Sequence, residues 1–440
     1  MDSPVAQGAR RKARLRRSAR PAVRFERLGP GLITGAADDD PSGIAAYSQA
    51  GAGFGLDMLW TMPVLYPLMS TMQMLSARIG RVTGKGLAAN MKRAFPQWAV
   101  AILVSLLLIA NIINIGADLA AMGASAALVT GLNEHPFTLF FAGASIALQL
   151  LVPYHRYVHF LKFLTLALFA YVGVVLTVRI DWGEVALRTI APHLAVTRDA
   201  ATTVVAVFGT TISPYLLFWQ ASQEVEDDRG DPSTGPLIRH HSEAPRQLAR
   251  IRWDTLVGMG FANLTAFFII LSTAVTIHDA GGVELRTSAE AAEALRPIAG
   301  EFAFALFSLG IVGTGLLAVP VLAGSAAYAV SEALGWKWGL EYDVRHARGF
   351  YSIIAAAVCV GLAVDYSSLD PIRALFWSAV LNGLVSVPLM IAMMLIVSRR
   401  KIMGPFIASG GLRSLGWIAT ATMTAAAVAM LVMSLSPFLG

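Results

Sequence analysis

LGPGLITGAADDDPSGIAAYSQAGAGFG, residues 28–55, sets three consecutive acids, Asp38, Asp39 and Asp40, into a stretch otherwise apolar enough to lie in lipid. A carboxylate at membrane depth is costly unless it faces a cavity or a partner, so an acid there marks a functional site by default. Pro41, Ser42 and Gly43 follow directly. Proline lacks an amide hydrogen and disfavours helix in the residue before it, and glycine relaxes the backbone further. The stretch therefore predicts two half-helices with an unwound middle at 38–43. Non-helical backbone at that depth is tolerated only where protein buries it or water lines it, and an ion or substrate site has that form.

The surrounding chain supports a membrane setting. Of its 440 residues 56% are hydrophobic and only 14% charged, and the mean hydropathy is +0.61. A single bundle of helices about 20 residues long fits this better than a series of soluble domains. After the broken first span, apolar runs fall at about 57–80, 98–129, 136–153, 157–179, 201–221, 253–277, 302–332, 350–366, 371–397 and 414–436, eleven spans in all. Residues 1–27 carry nine Lys or Arg and no apolar signal-peptide core, and read as a disordered cytoplasmic tail. When alternate loops are assigned to the side of this tail, 28 of the 34 Lys and Arg fall there. That bias predicts the amino terminus inside and the carboxyl terminus outside. It also explains the net charge of +6 as topology and contact with anionic lipid rather than nucleic-acid binding. The single cysteine, Cys359, can form no internal disulfide. Gln223 to Arg252 reads as a flexible cytoplasmic loop, and the segment 278–300 as an outer loop with a short helix at SAEAAEALRP.

The sixth span, VVAVFGTTISPYLLFWQAS at 204–222, again places a proline, Pro214, inside an apolar segment, behind Gly209, Thr210, Thr211 and Ser213. Interruptions five helices apart point to an inverted repeat with the substrate held near the bilayer midplane between two unwound stretches.

These residues resemble the NRAMP family of proton-coupled divalent-metal transporters, with similarity running roughly from 28 to 405 through the DDDPSG and GTTISPY stretches, FSLGIVGTGLLAVPVLAGSAAYAVSEALGW and ALFWSAVLNGLVSVP. The resemblance implies an all-α polytopic membrane protein with about eleven transmembrane helices, a leucine-transporter-type five-plus-five inverted repeat with helices one and six broken. One repeat would cover about 28–179, the other about 201–397, with 414–436 as an extra helix. The site motifs are only partly kept. Where the family has Asp-Pro-Gly-Asn, this chain has Asp40, Pro41, Ser42 and Gly43, so the carboxylate ligand stays and the amide goes. Where the family has Met-Pro-His, following an Ala whose carbonyl binds metal, it has Ser213, Pro214 and Tyr215 after Thr210, Thr211 and Ile212. The third-span pattern Asp-Ile-Ala-Glu becomes Asp118, Leu119, Ala120 and Ala121, keeping one acid of the proton route. The tenth-span Gln aligns with Ala379, with Asn382 one turn away.

Two substrates suit what is left. Asp40, as metal ligand, with Asp39, Ser42, Gly43, Thr210, Thr211 and Ser213 makes an oxygen-only site, which suits a hard divalent cation such as magnesium or manganese retaining several waters. Asp118, Asp38 and Tyr215 would form the proton route. Alternatively, Asp40 before Pro41 and Ser213 before Pro214 are each a good N-cap, so two half-helix N-termini could hold a small oxyanion such as bicarbonate. Either reading makes the protein a secondary transporter working by alternating access, with no cofactor. Its partners would be a small inorganic ion, protons and the lipid bilayer, with no nucleic acid and no obligate protein partner. The expected location is the inner (plasma) membrane of a bacterium. A membrane enzyme would need a nucleophile–base pair or a His/Glu metal cluster, and neither is evident; His240 and His241 read as solvated loop residues. A channel or a non-transporting sensor fits the paired breaks less well. Asn111, Asn114 and Asn263 read as helix-to-helix hydrogen-bond partners, and Asp254 and Glu224 as water-facing residues at membrane edges.

Overall fold

The computed structural model describes residues 30–152 and 165–435, apart from 194, 196, 231–233, 280, 282–284, 286–287 and 364–369. The basic tail at 1–27 and the first part of the predicted fifth span lie outside the described residues. In hydrocarbon each backbone amide must find its partner within the segment, so helix is the form open to a bundle of this composition. Among the described residues all regular structure is helical.

The first span is split into α1 (Pro30–Asp38) and α2 (Pro41–Phe54). It is followed by α3 (Thr61–Thr83), the short α4 (Leu87–Ala94), α5 (Gln97–Thr130), α6 (Glu134–Leu151), α7 (Phe169–Thr177) and a connecting α8 (Trp182–Ile190). The sixth span is split into α9 (Arg198–Thr211) and α10 (Pro214–Gly230). After it come α11 (Ala244–Thr273), α12 (Ala303–Leu334), α13 (Arg348–Leu362), α14 (Pro371–Val397) and α15 (Gly410–Leu435). Every predicted apolar run therefore carries helix where it is described. Among the described residues six stretches are long and apolar enough to cross a membrane by length and composition: Gln97–Thr130, Arg198–Gly230, His241–His278, Ala303–Leu334, Pro371–Val397 and Gly410–Leu435.

Both breaks fall where proline placed them, but they are narrower than the sequence suggested. Only residues 39–40 and 212–213 leave the helix. Ser42 and Gly43, expected in the unwound stretch, lie in the first turn of α2, because Asp40 caps that helix and Pro41 is pre-set for its first position. The outer-loop helix is present as Ser288–Glu293 followed by Arg296–Ala299. The supposed flexible loop from Gln223 to Arg252 is mostly helix: α10 runs on to Gly230 and α11 begins at Ala244.

Close helix crossings hold the breaks in place. A side-chain carbon at Gly209 would lie 2.2 Å from the Ala379 carbonyl oxygen and 2.6 Å from the Gly383 Cα, so α9 and α14 meet backbone to backbone beside the second break. On the other side α1 lies directly on α11, where a carbon at Gly35 would be 2.3 Å from the Gly258 oxygen. Small residues permit such approach, and dispersion across the contact then takes the place of a hydrophobic drive that lipid does not supply.

Candidate ion-binding site

The two breaks meet at Asp40. Its backbone is extended (φ −72°, ψ 169°), which turns the side chain back over the start of α2. Oδ1 accepts from the Gly43 amide at 2.7 Å, from the Ser42 hydroxyl at 2.8 Å and from the Thr210 hydroxyl at 3.4 Å. Oδ2 accepts from the Asn114 amide at 3.1 Å and from the Tyr215 hydroxyl at 3.2 Å. One carboxylate thus gathers α2, α5 and both halves of the sixth span. Tyr215 also lies 3.2 Å from the Ala37 carbonyl, at the end of α1.

Of the residues singled out in the sequence, Asp40, Ser42, Gly43, Thr210 and Tyr215 are in direct contact. Thr211 joins one step removed, its hydroxyl 3.0 Å from that of Tyr47. Ser213 is buried at the second break, but its hydroxyl turns back to the Gly209 carbonyl at 3.0 Å and to that of Thr210. The Gly43 amide, which an anion would need, is already taken by Asp40. A concave pair of free N-termini for an oxyanion is therefore not what the folded chain presents.

Asp38, Asp39 and Asp118 are buried around this centre, each at most 2% exposed. Asp39 faces the Thr265 hydroxyl of α11. One oxygen of Asp38 and one of Asp39 have no hydrogen-bond partner, while Asp118 lies against the Ser42 backbone amide and near enough to Asp40 to feel its charge. The basic side chain buried among the described residues, Arg81, is engaged elsewhere, with Asp228 and with Glu243 at 3.7 Å. Among the described residues these four buried acids have no basic partner, and such an environment is neutralised by a cation or by protons. No three of His, Cys, Asp and Glu converge as a ready metal cage among the described residues. Among the described residues the groups in contact with Asp40 are the hydroxyls of Ser42, Thr210 and Tyr215, the side-chain amide of Asn114 and the backbone amide of Gly43.

Sequence reasoning missed Asn114 as a site residue. It does bridge helices, as expected, for its Oδ1 accepts from Ser378 of α14 at 2.6 Å; its amide, however, ends on Asp40. The available signal was spacing, since Asn114 and Asp118 are four apart and share a face of α5. Asn111 and Asn263 behave as read, the first donating to Leu322 and Ser325 and the second to the Met62 carbonyl. His240 and His241 are exposed. Glu224 is not water-facing: it is fully buried and paired with Arg250 of α11. Asp254 is half-buried and accepts from the Gly31 amide at 2.8 Å.

Residues 31–433 match the family described as "Natural resistance-associated macrophage protein-like", Nramp. A divalent metal cation transporter, MntH, from Acidiphilium cryptum is 26% identical over 393 residues, covering 87% of this chain and 84% of that protein. Among solved structures the fold is similar to that of the Eremococcus coleocola manganese transporter, with a TM-score of 0.69 at 16% identity over 94% of this chain and 87% of the other. It is also similar to Mhp1, a nucleobase-cation-symport-1 family transporter in a closed conformation, with a TM-score of 0.57 at 14% identity over 93% and 91%.

Proposed function

The chain belongs to the Nramp-like family of membrane transporters, and from that premise we propose that it moves a hard divalent metal cation, of the magnesium or manganese kind, by proton-coupled alternating access. One observation carries this reading: Asp40 joins both helix breaks within a cluster of four buried acids that has no basic partner among the described residues. A cation arriving there relieves the burial cost of the acids, whereas an anion would add to it. The oxygen-only donor set selects hard metals over soft ones, because the thioether the family places at Ser213 is replaced by a hydroxyl that is itself turned away. Since the Asp40 oxygens already accept five hydrogen bonds, the ion keeps part of its water shell and meets the site largely through it, in the manner of magnesium.

Asp118, buried against the Ser42 amide, and Asp38, buried with one unpartnered oxygen, are the proton carriers in this reading, with Tyr215 as the phenol between them and Asp40. The chain divides into repeats of about 28–179 and 201–397 with an added helix at 414–436. It lies in a bacterial inner membrane, amino terminus inside and carboxyl terminus outside, as the Lys and Arg bias requires. The oxyanion reading has no support from the relatives.

Flux into proteoliposomes tests the proposal. Manganese and magnesium should enter, faster with an inwardly directed proton gradient, while labelled bicarbonate should not. Bicarbonate uptake without metal uptake would overturn it.

A further inference from the structure

Two connections on the side of the bundle that the charge bias assigns to the inside are basic throughout. Residues 84–98, from the end of α3 to the start of α5, carry Lys85, Lys92 and Arg93. Residues 398–417, from the end of α14 into α15, carry Arg399, Arg400, Lys401 and Arg413. Neither stretch contains an Asp or a Glu. All these cations are exposed, and among the described residues none of them is in an ion pair. Elsewhere on this side cations are matched, Arg81 with Asp228 and Glu243, and Arg250 with Glu224. The acid that does meet α4, Glu332 of α12, lies at the opposite end of that helix from Lys92 and Arg93. It is buried and engaged with the Ala89 amide and the Ser222 hydroxyl.

The two connections touch. The Arg399 guanidinium donates to the Ala94 carbonyl at 2.5 Å and lies 5.2 Å above the Phe95 ring. Arg93 and Arg400 are the chain neighbours of that contact, one on each segment. Further bonds fix the frame: Lys92 donates to the Ala333 carbonyl at the end of α12 at 2.7 Å, and Arg78 of α3 donates to the Phe406 and Ile407 carbonyls at 3.0 and 3.2 Å. Each connection also enters its next span past an exposed tryptophan, Trp98 (68%) and Trp417 (39%), a residue that favours the headgroup level of a bilayer. A topology signal needs only the number of cations on one side. It does not require that they converge, nor that both segments be stripped of acids, and like charges held together repel unless an anion lies between them.

We propose that these two connections form a seat for an anionic phospholipid of the inner leaflet, its phosphodiester held between Arg93 and Arg400, with Arg399 as the strut that joins the segments. The planar fork of arginine suits this task, because it matches two phosphate oxygens at once. Trp98 and Trp417 mark the depth of the headgroup. The seat goes beyond the transport reading and takes from it only the orientation. Lipid bound there clamps α4 against the α14–α15 connection.

The test uses full-length protein in detergent micelles containing phosphatidylglycerol and phosphatidylcholine, with retained lipid read by native mass spectrometry. Phosphatidylglycerol should be retained over phosphatidylcholine. Arg93→Gln with Arg400→Gln should weaken its retention roughly twentyfold, each cation near an anionic headgroup contributing about fivefold. Arg246→Gln with Arg252→Gln removes the same charge from exposed positions on α11 and should leave retention unchanged. Equal loss in the two double variants, or no preference for phosphatidylglycerol in the wild type, in protein that elutes as the wild type does, overturns the inference. Inorganic phosphate added to the micelles should not displace the lipid; displacement would overturn the lipid assignment in favour of a free anion. Retention is read without transport, so a failure here leaves the transport reading standing, and absent metal uptake would leave the seat standing.

Discussion

The Tyr215 hydroxyl lies 3.2 Å from Oδ2 of Asp40, tying the second broken helix to the first across the middle of the bundle. The same hydroxyl stands 3.2 Å from the Ala37 carbonyl, so one phenol contacts both the end of α1 and the break that follows it.

Removing that hydroxyl is the mildest perturbation of the site. Tyr215→Phe deletes a hydrogen bond to a carboxylate, a contribution of about 1.5–3 kcal/mol. Metal uptake should fall roughly tenfold or more, with the protein still folded by size-exclusion profile. Uptake at the wild-type rate would remove Tyr215 from the proposed proton route.

Two asparagines on α5 separate site from scaffold. Asn111 donates to Leu322 and Ser325 of α12, whereas Asn114 links Asp40 to Ser378. Each change to Ala removes buried hydrogen bonds and should lower stability by about 1–3 kcal/mol. Only Asn114→Ala should also raise the metal concentration giving half-maximal uptake. Equal transport constants in the two variants would return Asn114 to a purely structural role.

Restoring the family's ligand types tests the sign of the substrate. With Gly43→Asn and Ser213→Met together, a softer and more complete donor set should raise affinity for manganese and cadmium. A side-chain carbon at Gly43 would sit 3.1 Å from the Thr210 hydroxyl and 3.3 Å from Asp40, so the new amide projects toward the site after shifts of a few tenths of an ångström. Competition by cadmium against magnesium uptake is the readout. Loss of all transport without metal gain is the outcome expected of an anion site.

Where the folded chain follows the sequence, the cause is local. Pro41 and Pro214 fix both breaks because each acts on its own backbone and on the residue before it. The apolar runs fix the helices for the same reason. What escaped detection depends on distant partners. Glu224 reads as a water-facing residue at a span edge until Arg250, 26 positions away, is brought beside it. Asn114 sits in an unbroken apolar helix, where an asparagine has two readings, and only the arrival of Asp40 decides between them. Ser213 looks like an N-cap by its place before proline, yet its hydroxyl satisfies carbonyls left free at the end of α9.

Asp40 is where the account is most exposed. Asp40→Ala removes the acceptor shared by Gly43, Ser42, Thr210, Asn114 and Tyr215, and Asp38→Ala removes a buried acid with no such partners at its Oδ1. Manganese or magnesium uptake into proteoliposomes, compared for wild type and these two variants at matched folded protein, is the decisive measurement. The account predicts uptake abolished by Asp40→Ala and only reduced by Asp38→Ala; wild-type flux through Asp40→Ala would contradict it.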